Sequence, residues 1–149
     1  MPAQETADNM HSVAEHRLRQ IDQRYTSGRR AIIDLLLTAG QPVSIEDIAE
    51  RLPGLPRSSA YRHLTNLHAA GLIRRVTASD EYTRFELAED LTEHHHHLLC
   101  LNCGKVTDVT LPAGLEQQVT DAITNLADAG SFQAHSHRLD VLGLCAACQ

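Results

Sequence analysis

The chain has 149 residues, 42% of them hydrophobic, which suits one domain or two small ones sharing a boundary, neither able to bury much surface alone. Two Phe, three Tyr and no Trp leave the core to Leu, Ile, Val and Ala, a composition compatible with a dimer that adds buried area. The net charge of −6 is uneven: residues 9–77 hold ten Arg against six acids, residues 78–93 one Arg against six acids, and residues 94–149 come to −3, so the first block is expected to meet a polyanion.

No apolar run approaches the ~18 residues needed to span a bilayer, and no export or lipidation signal is legible, so a cytoplasmic protein with no membrane partner is expected. The four Cys form two Cys-x-x-Cys pairs, which in that compartment favours metal over disulfide.

Residues 8–23 predict a polar helix with a thin apolar stripe of Val13, His16 or Arg17, Leu18 and Ile21. A second helix follows, capped at Thr26 or Ser27 and ended by Gly40, with Ile32, Ile33, Leu35, Leu36 and Leu37 as a broad buried face. The third starts at the capping-box pattern Ser44-x-x-Asp47, turns Ile45, Ile48, Ala49 and Leu52 inward and stops at Pro53-Gly54. Pro56 suits the first turn of a fourth helix, in which Ala60, Leu64, Leu67 and Ala70 recur at helical spacing and Gly71 closes the run.

LIRRV and EYTRFEL then alternate as strands around a turn at Ala78-Ser79-Asp80. A short helix, a tight turn, a second helix and a hairpin make a winged helix-turn-helix. Its outward face carries Arg57, Ser58, Tyr61 and Arg62, the residue types that read base edges in a major groove. Arg24, Arg29 and Arg30 on the preceding helix, with Arg74 and Arg75 at the wing, are expected to neutralise phosphates.

In the second half, KVTDVTL predicts a strand, residues 111–130 a helix with Leu115, Val119, Ile123 and Leu126 inward, and AHSHRLDVLGL a returning strand. Cys100-Leu-Asn-Cys103 and Cys145-Ala-Ala-Cys148 are 41 residues apart and together supply four thiolates for a tetrahedral zinc. The run HHHH at 94–97 enters a strand, so His94 and His96 point one way and His95 and His97 the other, which implies two further sites rather than one.

His135, His137 and Glu116 are candidates to complete one face, and Glu86, Glu89 and Asp90 the other. Mixed His and carboxylate shells accept Fe, Mn, Zn, Co or Ni. His11, His16, His63 and His68 are not expected to be ligands.

SSAYRHLTNLHAAGLIRR, RFEL, HHHHLLCLNCGKV and SHRLDVLGLCAAC together resemble the ferric uptake regulator family of metal-dependent repressors over nearly the whole chain. The resemblance implies an α+β protein with an N-terminal winged helix (1–87), a linker (88–93) and a C-terminal α/β dimerisation domain (94–149). It further implies structural zinc on Cys100, Cys103, Cys145 and Cys148 and a regulatory site on His95, His97 and Glu86, with Glu89 or Asp90 as alternatives.

An additional site on His94, His96, Glu116 and His137 is implied too, and a recognition-helix pair at Tyr61-Arg62. Gln41-Pro42 stands where many members have a His, so the resemblance leaves the fourth regulatory ligand open. The implied function is a homodimeric regulator, by family habit a repressor, that binds operator DNA and controls metal-homeostasis genes in response to Fe2+, Zn2+ or Mn2+. A metal storage or delivery protein is the alternative; an enzyme is not expected, since no HExxH or comparable signature occurs.

Overall fold

A computed structural model describes residues 2–77 and 83–149, so the expected turn at Ala78-Ser79-Asp80 lies outside the described residues. The chain divides into two compact units, Met1–Glu93 and His94–Gln149. Residues 88–93 belong to the first unit, where Glu89–Leu91 forms a single 3-10 turn.

In the first unit α1 spans Pro2–Gln20, starting earlier and ending earlier than its sequence pattern suggests. Its buried stripe is Met10, Ala14 and Leu18; Ile21 is 37% exposed because the helix has already ended before it. Arg17 fixes the end of α1 by donating to Gly71 O at 2.7 Å and to Asp90 Oδ2 at 2.5 Å. α2 (Ser27–Ala39) buries Ile32, Ile33, Leu35 and Leu36 and ends at Gly40, whose φ of 66° favours a residue without Cβ.

β1 (Val43–Ser44) leads straight into α3 (Ile45–Arg51), and the expected capping box forms in full. Ser44 N donates to Asp47 Oδ2 at 2.7 Å and Asp47 N to Ser44 Oγ at 3.1 Å. α4 (Arg57–Ala69) buries Ala60, Leu64 and Leu67. Beyond it Gly71 takes φ 67° and Leu72 N bonds back to Leu67 O at 2.9 Å.

β2 (Ile73–Thr77) and β3 (Thr83–Leu87) pair antiparallel from Ile73↔Leu87 to Thr77↔Thr83. β1 pairs with the other edge of β3, giving the order β1-β3-β2. The helices close over this small sheet, and Leu18, Ile32, Ile33, Ile48, Leu67, Leu72 and Ile73 lie wholly inside. That is the winged helix expected from the sequence, with one strand, β1, that the sequence pattern did not reveal.

In the second unit β4 (His96–Cys100) is the central strand, antiparallel to β5 (Val106–Val109) and parallel to β6 (Asp140–Gly143). α5 (Ala113–Ala129) lies between β5 and β6 in the chain, as a crossover to a parallel neighbour requires. The expectation that Leu115, Val119, Ile123 and Leu126 face inward fails within one chain. Leu115 is 46% and Leu126 75% exposed, Val119 and Ile123 are half-buried, and only Ala127 of this helix is buried. Among the described residues no second apolar layer covers that face.

Candidate metal centres and the recognition helix

The knuckle after β4 brings the first thiol pair together because Gly104 takes φ 70° and donates to Cys100 O at 3.0 Å. β6 pairs in parallel with β4 up to Cys100↔Gly143, which delivers Cys145 and Cys148 to the same end of the sheet. One sulfur from each of Cys100, Cys103, Cys145 and Cys148 lies within 4.8 Å of the others.

Cys103 Sγ and Cys145 Sγ are 3.8 Å apart. A disulfide needs about 2.05 Å, whereas the edge of a tetrahedron with bonds of about 2.3 Å is roughly 3.8 Å, so the set fits zinc. Amide donors from Cys103 and Cys145 pull the Cys100 thiol down to about 6. At Cys148 the Asn102 amide favours the thiolate, but the neighbouring Cys145, Cys103 and Cys100 sulfurs outweigh it and the thiol rises to about 11. Crowded thiols that cannot all ionise alone are what a dication relieves.

The strand alternation expected of the histidine run is present. His94 and His96 gather with Glu116, from the first turn of α5, and His137, ahead of β6. His96 Nε2 donates to Glu116 Oε2 at 2.8 Å, while His94 Nε2 and His137 Nε2 lie 3.1 Å and 2.9 Å from Glu116 Oε1. The His96 hydrogen bond, outweighing the cost of desolvation, holds the Glu116 carboxyl below its ordinary value.

Glu116 Oε1 and His137 Nε2 are buried without a hydrogen-bond partner. Convergent donor atoms that do not satisfy one another fit a cation between them. His135, also expected as a candidate here, is exposed and stands outside the group.

On the opposite face of β4, His95 and His97 stack edge to face at 5.0 Å between centroids. Their Nε2 atoms lie 3.9 Å and 3.8 Å from the two oxygens of Asp108, too far for hydrogen bonds and spaced for a shared ion. Asp108 was not expected from the sequence. Its register partner across β4 and β5 is His97, and that pairing is the signal which finds it.

The acidic candidates from residues 86–90 have partners within the first unit: Glu86 and Glu89 pair with Arg74, the latter at 3.3 Å, and Asp90 with Arg17 at 2.5 Å. Glu89 and Asp90 are thereby committed to ion pairs that shape that unit.

On the face expected to meet DNA, Arg57, Ser58, Tyr61 and Arg62 of α4 are exposed, as are Arg24, Arg30 and Arg75. Arg57 bonds Glu46 at 2.6 Å and lies 6.0 Å over the Tyr61 ring, which holds its guanidinium in place for a forked contact. Two expected phosphate contacts need correction. Arg29 is buried, 7% exposed, and donates to Arg24 O and, at 2.7 Å, to Gln23 Oε1. Arg74 is half-buried and committed to Glu86 and Glu89.

The sequence model of the ferric uptake regulator family matches residues 20–142. The chain is 30% identical over 135 residues to the peroxide operon regulator of Bacillus subtilis (strain 168), covering 88% of each protein. Its fold is similar to that of the Helicobacter pylori ferric uptake regulator, with a TM-score of 0.73 and 20% identity over 95% of this chain and 93% of that one. The Vibrio cholerae ferric uptake regulator is similar too, with a TM-score of 0.67 and 26% identity over 88% of this chain and 98% of that one.

Proposed function

The chain belongs to the ferric uptake regulator family and is a metal-responsive transcriptional regulator, not an enzyme; from that premise we propose that it is a homodimeric repressor whose operator binding depends on a divalent ion at His95, His97 and Asp108. The observation that carries the proposal is the division of labour along β4. Its alternate faces serve two separate donor clusters and its end serves a third, so one strand can hold a structural ion and a responsive one.

Zinc suits the four thiolates, and a second divalent metal, Fe2+, Zn2+ or Mn2+, suits the imidazole and carboxylate sets. Residues 1–87 would read double-stranded DNA through Arg57, Ser58, Tyr61 and Arg62, with Arg24 on the phosphates. Residues 88–93 would link, and residues 94–149 would bind metal and dimerise. Glu86, which the RFEL stretch assigns to the regulatory set, is the proposed donor from the N-terminal half.

When bound, the ion supplies bonds that hold its donor residues in one geometry. His97 and Asp108 are register partners on two paired strands and His95 precedes the first of them, so the three donors lie on one side of the sheet, and a bias of about 1–3 kcal/mol between arrangements of the DNA-reading halves suffices for regulation. His94, His96, Glu116 and His137 would form an additional site within the second unit. The Helicobacter pylori protein has three functional metal-binding sites. No helix among the described residues is long and apolar enough to cross a membrane, and action on cytoplasmic DNA is part of the proposal.

The test is fluorescence anisotropy with the promoter fragment of the protein's own gene, with and without Fe2+, Zn2+ or Mn2+. Wild type is expected to bind only when metallated, and the His95→Ala/His97→Ala variant to remain a dimer but lose that dependence. Metal-dependent binding by the variant removes the assignment to this pair. Absence of DNA binding under every metal condition leaves metal storage or delivery as the better reading.

A further inference from the structure

His97 has two ring nitrogens, and the structure gives them different tasks. Nε2 points towards Asp108, 3.8 Å from Oδ1, on the side where His95 Nε2 also converges. Nδ1 lies 3.1 Å from Asp140 Oδ1. The contact follows from the sheet itself: His97 is the register partner of Asp108 on β5 and of Asp140 on β6, so one row across the sheet reads Asp108, His97, Asp140. His97 is 2% exposed, which leaves its ring little access to water as an alternative partner. Arg138 Nη2 stands 3.6 Å from the other Asp140 oxygen and steadies the carboxylate.

We infer that Asp140 is a positioning residue for the metal centre: by accepting the Nδ1–H of His97 it fixes the ring's tautomer and rotation, so that the Nε2 lone pair faces the ion. The inference rests on the proposal that His97 is a ligand. A neutral imidazole carries one proton, and a carboxylate can only accept, so the proton resides on Nδ1 and the free lone pair on Nε2. Carboxylates that hold the outer nitrogen of a ligating histidine also raise its basicity, and their loss weakens metal binding by about 10–100-fold. The second buried imidazole of the run supplies an internal control. His96 uses Nε2 toward Glu116, but its Nδ1 has no hydrogen-bond partner, so the inner site lacks this support and should not respond to changes at Asp140.

The experiment uses the full-length, zinc-loaded dimer and two readouts. Cobalt(II) titration followed by visible absorption measures the site, and long-range proton–nitrogen correlation spectra of the metal-free imidazoles report the His97 tautomer. Asp140→Ala is expected to weaken cobalt binding by about 10–100-fold and to shift His97 from the Nδ1–H form toward a mixture. Asp140→Asn, which keeps shape but not charge, should fall between, and it serves if the alanine variant folds poorly.

Unchanged affinity together with an unchanged tautomer in both variants overturns the inference. A loss as complete as that of His97→Ala also overturns it, because Asp140 would then be a ligand. If His97→Ala itself leaves cobalt binding intact, the ligand reading fails, while the tautomer readout still decides what Asp140 does to the ring.

Discussion

Arg29 illustrates how a single charged residue divides between fold and function. Its guanidinium is buried against Arg24 O and Gln23 Oε1, so it ties the start of α2 to the segment that follows α1. Arg24, by contrast, is exposed and is the residue proposed to contact phosphate. Removing a buried charged donor strands its acceptors at about 1–3 kcal/mol, whereas removing a phosphate contact lowers the slope of log affinity against log salt by roughly 0.9. Arg29→Ala is therefore expected to lower the urea midpoint of the N-terminal unit while leaving the salt slope of DNA binding unchanged. Arg24→Ala should do the reverse, and paired urea melts and salt titrations check both. Charge counting along the sequence could not separate these arginines, because burial of a side chain at one turn of a helix depends on what packs over it.

At the scale of elements, local chemistry was legible and pairing was not. The Ser44-x-x-Asp47 pattern named the start of α3 because a capping box closes within four residues and owes nothing to distant contacts. Alternation likewise sorted the histidine run, since the two faces of a strand follow from its pleat. Asp108 and Asp140 escaped notice because their neighbourhood with His97 depends on the register of two separate strand pairings, one antiparallel and one parallel.

The capping box itself makes a pH prediction. Burial raises the Asp47 carboxyl, but hydrogen bonds from Ser44, with Arg84 and Arg51 nearby, outweigh it and hold the group below its ordinary 3.8. A depressed carboxyl stabilises the fold above the unfolded value and ceases to as pH falls through the folded one. Ser44→Ala should cost about 1 kcal/mol at pH 7. The stability gap between wild type and Asp47→Ala should be full at pH 7 and shrink below pH 3.8, as read from denaturant midpoints across that range.

The two units of the molecule are held by different means. The contiguous apolar cluster runs from Met10 to Leu87 and lies wholly in the first unit. The second buries few apolar side chains, chiefly Leu99, Cys100, Val106 and Ala127, while Leu126, Phe132, Val141, Leu142 and Leu144 are about half or more exposed. A unit of this size rarely draws more than about 3–5 kcal/mol from a core of its own, even when that core is well filled. Structural zinc sites in small peptides supply about 10–16 kcal/mol near neutral pH, enough to decide whether such a unit folds. A second copy covering the exposed face of α5 would add burial, but the four thiolates join the end of β4 to the chain after β6 and so close the sheet first.

Stripping zinc with a strong chelator at pH 7, or the Cys145→Ser substitution, is therefore expected to act on one unit alone. Amides around Leu99 and Val106 should lose hydrogen-exchange protection and the proposed dimer should dissociate, while amides around Ile32, Ile48 and Leu67 keep theirs. Equal loss of protection in both units would mean that the winged helix depends on the metal-bearing half for its stability. Retained protection around Leu99 would mean that the sheet stands without its zinc.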